Sequence, residues 1–190
     1  MREYQEDSFI RVEPSFLIFL CVCYYFDPVG CFWPFLLGLC AHEGGHLLAL
    51  AAVGCPVRRL RLTALGAQMK TEACSYLKET LAAAAGPAMN LLLFALCAKP
   101  APIAALVNLA LLCYNLLPFY PLDGGRLLRC VLHILLPDEK AARAETALRL
   151  CFAAAAILTA VFLTVRGRGG LMPCAILLLI TARVLHSKKE

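Results

Sequence analysis

The chain has 190 residues, of which 61% are hydrophobic and 16% are charged, and its formal net charge is +5. Soluble domains carry about 25% charged residues, so this composition indicates a membrane protein. The length suits one compact helical bundle and leaves no room for a second domain of ordinary size. We expect a single membrane-embedded domain over residues 1–190, with a core at 14–128 and C-terminal helices at 141–186.

Six apolar runs follow one another along the chain, separated by short polar or Pro/Gly-containing connections. They lie at about 14–26, 31–53, 80–98, 103–117, 146–165 and 171–186. The first is short for a membrane span. Backbone groups in lipid must be hydrogen-bonded within their own segment, so each run is expected to be a helix. The predicted fold is all-α, a polytopic membrane bundle of about six transmembrane segments.

The distribution of Lys and Arg predicts the orientation, because these residues accumulate on the cytoplasmic side. With six spans, most of them fall on one side of the membrane, in segments 1–11, 58–78, 126–143 and 188–189. Both termini are therefore expected to be cytoplasmic, in a multi-pass protein of a cell membrane. The positive charge reflects this sorting, and no basic or stacking-aromatic pattern indicates a nucleic-acid partner.

The eleven cysteines lie singly in apolar runs and form no CxxC pair; examples are Cys40, Cys97, Cys113, Cys151 and Cys174. This pattern indicates small buried apolar side chains and supports neither a disulfide scaffold nor a redox site.

The stretch LCAHEGGHLLAL places ionisable groups inside an apolar run. His42 and His46 are four residues apart, so on a helix they share one face and can occupy two corners of a tetrahedral zinc site. Glu43 lies about 100° around the helix, where it can reach water at the metal. The alternative is a buried histidine pair bonded to carbonyls or to each other. Gly44 and Gly45 suggest that a neighbouring helix or a substrate packs against this turn.

A catalytic zinc needs a third protein ligand. The candidate is Asp123 in NLLPFYPLDGGRLL, because Pro118 and Pro121 interrupt the helix there while the surroundings stay apolar. Broken backbone at membrane depth is tolerated where it is buried or lines a cavity, and it can present the carboxylate to a metal. The alternative for LDGG is an ordinary turn at the membrane interface.

Two other segments are expected to support the site. Alternating Arg and Leu from Val57 to Lys70, with Gly66 among them, predict a short interfacial β-hairpin. That hairpin is either a clamp that holds a substrate strand or a basic loop bound to anionic lipid headgroups. Gly86, Pro87 and Asn90 predict a kinked third span with an inward polar group, and Asn90 is interpreted as a structural tether near the active site.

Three motifs together resemble the site-2 protease family of intramembrane zinc metalloproteases. They are HEGGH at 42–46, GPAMN at 86–90 and NLLPFYPLDGG at 115–125, and they cover most of residues 14–128 in the order of the family. Both cytoplasmic ends make the chain most similar to the sporulation-type branch, stage IV sporulation protein FB and its relatives. Those proteins commonly carry a CBS domain, which is not expected here, and the resemblance favours a bacterial membrane.

The resemblance implies peptide-bond hydrolysis within or next to a transmembrane helix of a membrane-protein substrate. It implies that His42, His46 and Asp123 bind zinc and that Glu43 is the catalytic base. Asn115 matches the asparagine that precedes the aspartate motif, and its implied role is to position or polarise the substrate or the water. The competing interpretation is a non-proteolytic zinc-binding membrane protein or transporter. A transporter should carry polar ligands along several spans, whereas these are concentrated at one site.

Overall fold

The computed structural model describes residues 9–64, 66–72, 74–118 and 122–165. Within these residues the elements, in chain order, are β1 (Ile10–Val12), α1 (Pro14–Tyr25), α2 (Phe32–Ala52), β2 (Val57–Thr63), β3 (Gly66–Thr71), α3 (Tyr76–Cys97), α4 (Pro102–Asn115), α5 (Asp123–Leu135) and α6 (Asp138–Val165). The chain divides into two compact units, Met1–Asn115 and Leu116–Glu190, each of which is described by itself.

The helices correspond to five of the six predicted apolar runs, and the run at 171–186 lies outside the described residues. By length and composition, α2 and α3 can cross a membrane, with 21 and 22 residues. The apolar helices α1 and α4 are shorter, with 12 and 14 residues. The count of six spans therefore stays a prediction.

Large apolar side chains point away from the protein on α2 and α3. Leu48 on α2 is 69% exposed, and the same outward position is taken by Trp33, Leu37, Leu81, Leu91 and Leu96. Many exposed large apolar side chains on a helix are typical of contact with a membrane or another protein. It fits two helices that lie in lipid.

In the first unit α3 packs against both α2 and α4, and α2 and α4 also contact each other. Small residues permit the close approach: a Cβ on Gly45 would lie 2.7 Å from Met89 Cγ and 2.8 Å from the carbonyl oxygen of Ala85. The predicted packing against the glycine turn is therefore confirmed at Gly45. At Gly44 a Cβ would meet no heavy atom within 4 Å among the described residues outside its own helix backbone and chain neighbours, so the helix contact of this turn is made at Gly45.

Asp27 fixes the start of α2. Its carboxylate oxygens accept hydrogen bonds from the backbone N–H groups of Cys31 and Phe32, each at 2.8 Å. A negative charge at a helix N-terminus is favourable because the unsatisfied N–H groups there are electropositive. The N–H groups of Phe32 and then Cys31 lower the pKa of Asp27.

The predicted hairpin is confirmed, because β2 and β3 pair antiparallel with Leu60 opposite Met69 and Thr63 opposite Gly66. Gly66 has a φ of 113°, a left-handed value that a side chain would disfavour. The all-α expectation omitted a third strand. β1 pairs parallel with β2, with Ile10 opposite Leu60, which gives a sheet of order β1-β2-β3. This strand is only three residues long and its partner is about fifty residues away, so it leaves no local pattern.

An apolar cluster and a disulfide fasten the hairpin to the helices. The cluster consists of Leu50, Cys55 and Ala82, with Ala49, Val53, Val57, Met69 and Cys74 packed against it. Cys55 and Cys74, at the two ends of the hairpin, are disulfide-bonded. The prediction that the cysteines are small buried apolar side chains without disulfides is wrong for this pair. Among the free cysteines of the described chain Cys130 is buried, while Cys40, Cys113 and Cys151 are exposed on apolar helices. Cys97 is partly buried, and Cys174 lies outside the described residues.

The second unit contains α5 packed against α6. The turn between them closes through Pro137, whose carbonyl accepts hydrogen bonds from Lys140 and Ala141. His133 Nδ1 lies 2.9 Å from Asp138 Oδ1 across this turn. Helix α4 ends at Asn115 and α5 begins at Asp123, which confirms the predicted break in the helical backbone.

Candidate metal centre

The two histidines of HEGGH lie on one face of α2, as their spacing predicts. Both side chains are buried, and their Nε2 atoms are 3.1 Å apart. The ring planes are nearly perpendicular, with centroids 4.7 Å apart. His42 and His46 therefore direct the same ring atom toward one point.

The hydrogen bond on the far side of His42 determines which ring nitrogen carries the proton. His42 Nδ1 lies 2.6 Å from Asn90 Oδ1, and the amide nitrogen of Asn90 donates to the carbonyl oxygen of Gly38. A backbone carbonyl can only accept, so the Asn90 oxygen must be the atom that faces the ring. His42 Nδ1–H is consequently the donor, and in the neutral ring Nε2 holds the lone pair.

His46 reaches the same state through a different partner. Its Nδ1 lies 2.7 Å from the carbonyl oxygen of Ala82 on α3, which again can only accept. Nδ1–H donates and Nε2 is the lone-pair nitrogen. A ring N–H held by a carbonyl or amide oxygen is the usual arrangement around metal-binding histidines, since it fixes the ring and its tautomer.

This donor set fits a tetrahedral zinc. Two nitrogens at 2.0–2.1 Å from zinc and at the tetrahedral angle are separated by about 3.3 Å. The observed separation is 3.1 Å. A zinc ion coordinated by both Nε2 atoms would compensate the repulsion between two neutral lone pairs that face each other at this distance. The expectation that His42 and His46 form one site is supported by this geometry.

Gly86 on α3 makes room for the histidine pair. A Cβ at this position would overlap His46 Nε2 and would lie 2.8 Å from His42 Cε1. The predicted tether Asn90 lies one turn further along the same helix and is fully buried. Pro87 lies between them inside the continuous helix Tyr76–Cys97. α3 therefore supplies both the space for the rings and the partner of His42.

Glu43 follows His42 on α2 and is half-buried. Its position in the same helical turn agrees with the sequence expectation. Asn115 is the last residue of α4, where it is half-buried and donates from Nδ2 to the carbonyl oxygen of Leu111 at 3.1 Å. The catalytic roles of Glu43 and Asn115 stay predictions.

Asp123 is the first residue of α5, in the second unit, and its side chain is 6% exposed. In that unit Arg126 Nη1 is 4.0 Å from Asp123 Oδ1. Gly124 allows the backbone to pack tightly beside it, because a Cβ there would overlap the carbonyl group of Leu116. The role of Asp123 as a ligand stays a prediction.

Asn108 on α4 is a polar residue of this region that sequence reasoning missed. It is buried, its Oδ1 accepts from Asn90 Nδ2 at 3.0 Å, and its Nδ2 donates to the carbonyl oxygen of Ala104. The available signal was an amide inside the apolar run 103–117. Nothing in the local sequence indicates which residue that amide contacts.

Comparison with known proteins finds similarity to one peptidase family in part of the chain. Residues 95–159 match the family model described as Peptidase family M50, the family of the site-2 proteases. The match is to the M50 peptidases. The segment contains Asn115 and Asp123 and does not include HEGGH, so it is independent of the zinc motif on α2.

One curated relative, from Synechocystis sp., is by name a candidate zinc metalloprotease. It is 34% identical over 106 residues, which cover 48% of this chain and 28% of that protein. The chain thus spans little more than a quarter of the length of this relative. A solved structure, the site-2 protease from Methanocaldococcus jannaschii, matches with a TM-score of 0.69 at 18% identity. The match covers 95% of this chain and 91% of the archaeal chain and shows that they share a fold.

Proposed function

We propose that this chain is a zinc endopeptidase that cuts a membrane protein within or next to a transmembrane helix. The observation that carries the proposal is the geometry of His42 and His46. Their Nε2 atoms are 3.1 Å apart, and in each ring Nδ1–H donates a hydrogen bond, which leaves the lone pair on Nε2. Glu43 in the same turn supplies a proton acceptor beside them. The match to M50 peptidases agrees with this chemistry.

The proposed zinc ligands are His42, His46 and Asp123. Each offers an atom that zinc accepts, and all three side chains are buried. A buried carboxylate costs several kcal/mol unless a cation compensates its charge. Arg126 Nη1 lies 4.0 Å from Asp123 Oδ1, and a bound zinc ion would add a second positive charge beside this carboxylate. Three protein ligands leave a fourth position for chemistry.

Zinc held by these residues would supply a Lewis acid that polarises the scissile carbonyl and lowers the pKa of water to about 7. Glu43 takes one proton from the attacking water as its oxygen bonds to the carbonyl carbon. The same carboxyl group then gives that proton to the leaving amine as the C–N bond breaks. Asn115, at the end of α4, would donate a hydrogen bond to the carbonyl oxygen as negative charge develops on it.

The proposed substrate is a membrane-spanning segment, because α2 carries its histidines in an apolar helix with apolar side chains facing outward. A helical substrate hides its amides in hydrogen bonds and must be unwound before it is cut. Within the described sheet β3 is an edge strand, and its outer backbone groups can hold an extended peptide. The hairpin would then be a substrate clamp.

The proposed arrangement in the membrane has six spans and both termini on the cytoplasmic side of a bacterial cell membrane. It is supported by the distribution of Lys and Arg along the chain. Regulated intramembrane proteolysis and a place in the sporulation-type branch belong to the same proposal. Their support is the resemblance of the three motifs.

The test compares zinc content with cleavage in the full chain, purified in detergent and returned to lipid vesicles. The probe is a tagged single-span protein with a Gly-Pro pair in its span, which lowers the cost of local unwinding. Glu43→Gln should bind zinc but lose cleavage, and Asp123→Asn should lose both. Glu139→Gln and Asp138→Asn are the matched controls, because both side chains are exposed on α6, and each should behave as the unaltered chain.

Cleavage by Glu43→Gln at the unaltered rate would contradict the role of Glu43. Zinc affinity that is unchanged in Asp123→Asn would remove Asp123 from the ligand set. Zinc binding by the unaltered chain without cleavage of any single-span probe would favour the non-proteolytic metal-binding alternative.

A further inference from the structure

We propose that Asn108 is a positioning residue that acts through Asn90 to fix which nitrogen of His42 faces the metal. The inference rests on the proposed function, because it concerns the ligand nitrogen of a zinc site. Three helices take part: His42 and Gly38 lie on α2, Asn90 on α3 and Asn108 on α4. All of them belong to the first compact unit.

The orientation of the Asn108 amide is determined by its own helix. Asn108 Nδ2 lies 2.9 Å from the carbonyl oxygen of Ala104, one turn earlier. That oxygen can only accept, so the amide nitrogen faces it and Oδ1 faces Asn90. Asn108 therefore presents an acceptor to α3.

Asn108 orients the amide of Asn90, and Asn90 in turn orients the ring of His42. Its Nδ2 donates to Asn108 Oδ1 at 3.0 Å and to the carbonyl oxygen of Gly38 at 3.2 Å, which uses both amide hydrogens. Oδ1 is left to accept from His42 Nδ1–H at 2.6 Å. Two backbone carbonyls, one on α2 and one on α4, thus set the direction of the whole chain of amides.

A flipped Asn90 would disable the metal ligand. Its NH₂ group would face His42 Nδ1, which would have to accept, and the proton would move to Nε2, where it blocks coordination. The flipped Oδ1 would meet the oxygens of Gly38 and Asn108. Asn90 is fully buried and Asn108 is 3% exposed, so water does not relieve either conflict. Without Asn108, the longer contact to Gly38 alone would hold the orientation.

The packing around Asn108 allows its side chain to approach α2 and α3 closely. A Cβ on Gly38 would lie 2.8 Å from Asn108 Oδ1 and 3.0 Å from Leu111 Cδ1. The absence of a side chain at Gly38 lets α4 bring its amide against α2 and α3. Gly38 therefore contributes twice, by its carbonyl oxygen and by the space above its Cα.

The experiment measures the zinc dissociation constant of the full chain in detergent by competition with a chelator, together with its unfolding temperature. Asn108→Leu keeps the shape and removes the amide, and zinc binding should weaken about 10-fold or more, as for other partners of metal-binding histidines. Ala105→Gly is the control on the same buried side of α4. It should lower the unfolding temperature and leave the zinc affinity unchanged.

A second variant, Asn90→Asp, separates the effect of Asn108 on the orientation of residue 90 from its effect on the stability of the fold. In Asn90→Asp both carboxylate oxygens are acceptors, so no flip can present a donor to His42 Nδ1. Its second oxygen meets the oxygens of Gly38 and Asn108, so Asn90→Asp should lower the unfolding temperature, but the variant should still bind zinc because an acceptor always faces His42 Nδ1. Adding Asn108→Leu to it should cause no further weakening.

The outcomes are distinct. The inference is overturned if Asn108→Leu weakens zinc binding by the same factor in both backgrounds, if it has no effect in the native background, or if Asn90→Asp does not bind zinc. If the unaltered chain itself binds no zinc, the proposed function fails first. If the unaltered chain binds zinc and Asn108→Leu binds it equally well, the function stands and the role of Asn108 does not.

Discussion

The interface of α2 with α3 and the three-stranded sheet both contain short polar contacts, but their solvation differs. At the interface, His42 and Asn90 are buried and 2.6 Å apart. On the sheet, Arg58 contacts Glu72 at 2.6 Å with both side chains exposed. Similar distances therefore have different consequences, because water can replace the partner on the sheet and cannot do so at the interface.

The comparison implies an order of sensitivity. Changes at the interface should alter metal binding and folding together, since the same small residues make room for the rings and for the helix contact. Changes on the exposed side should alter stability little and leave the metal site unaffected. Four experiments test this order.

The largest expected effect is that of Gly86→Ala. The new Cβ would overlap His46 Nε2, so the ring must leave the position from which it binds zinc. We expect zinc binding to be lost, as measured by chelator competition, along with all cleavage. Gly44→Ala is the control. Normal zinc affinity in Gly86→Ala would mean that the histidine pair does not face α3 in this way.

Gly45→Ala and Gly44→Ala form a matched pair in adjacent positions of α2. The Cβ at residue 45 would press on Met89 and on the backbone of Ala85, and overpacking of this kind costs about 1–3 kcal/mol of unfolding free energy. The Cβ at residue 44 meets open space, and an alanine there should stabilise the helix by up to about 1 kcal/mol. Denaturation in mixed micelles gives both values. Equal effects would contradict the close contact at Gly45.

Asp27→Asn tests a partly buried helix cap whose contribution depends on pH. The pKa of Asp27 is lowered in the folded chain by the N–H groups of Phe32 and Cys31, so its contribution is present above the unfolded pKa of about 4. It is lost as the pH falls through the folded value. The unaltered chain should therefore lose stability below about pH 4, and part of that loss should be missing in Asp27→Asn. Identical pH profiles would exclude this cap.

The smallest effect is expected on the sheet. A double-mutant cycle of Arg58→Ala and Glu72→Ala should give a coupling free energy between 0 and about 1 kcal/mol, because both side chains are exposed. The coupling should shrink at high salt. Zinc affinity should not change in either variant. A coupling of several kcal/mol would show that this ion pair is shielded from water, for example by a partner.

Local patterns predicted the parts of the fold that depend on neighbours in sequence. The spacing of His42 and His46 places them on one helix face, and the alternation from Val57 to Lys70 predicts the hairpin. The prolines near Asp123 predict the break between α4 and α5. All three features are present in the structure.

The contacts that were missed join distant segments. The strand Ile10–Val12 pairs with residues about fifty positions later, and the Cys55–Cys74 bond spans 19 positions. Asn108 contacts Asn90 on another helix. A single amide or a three-residue strand has no periodicity, so its partner is decided by how the helices pack and leaves no mark in its own stretch of sequence.

The bond between Cys55 and Cys74 encloses the hairpin in a covalent loop. A protease that nicks the chain between residues 57 and 71 would leave two fragments that migrate as one on a gel until a reductant is added. The redox state of the two cysteines also depends on their compartment. Cysteine pairs stay reduced in the cytoplasm, whereas they can form disulfides on the outer face of the membrane. Trapping the two cysteines with an alkylating reagent in intact cells would therefore test the proposed cytoplasmic position of the hairpin, because a disulfide found there would contradict that position.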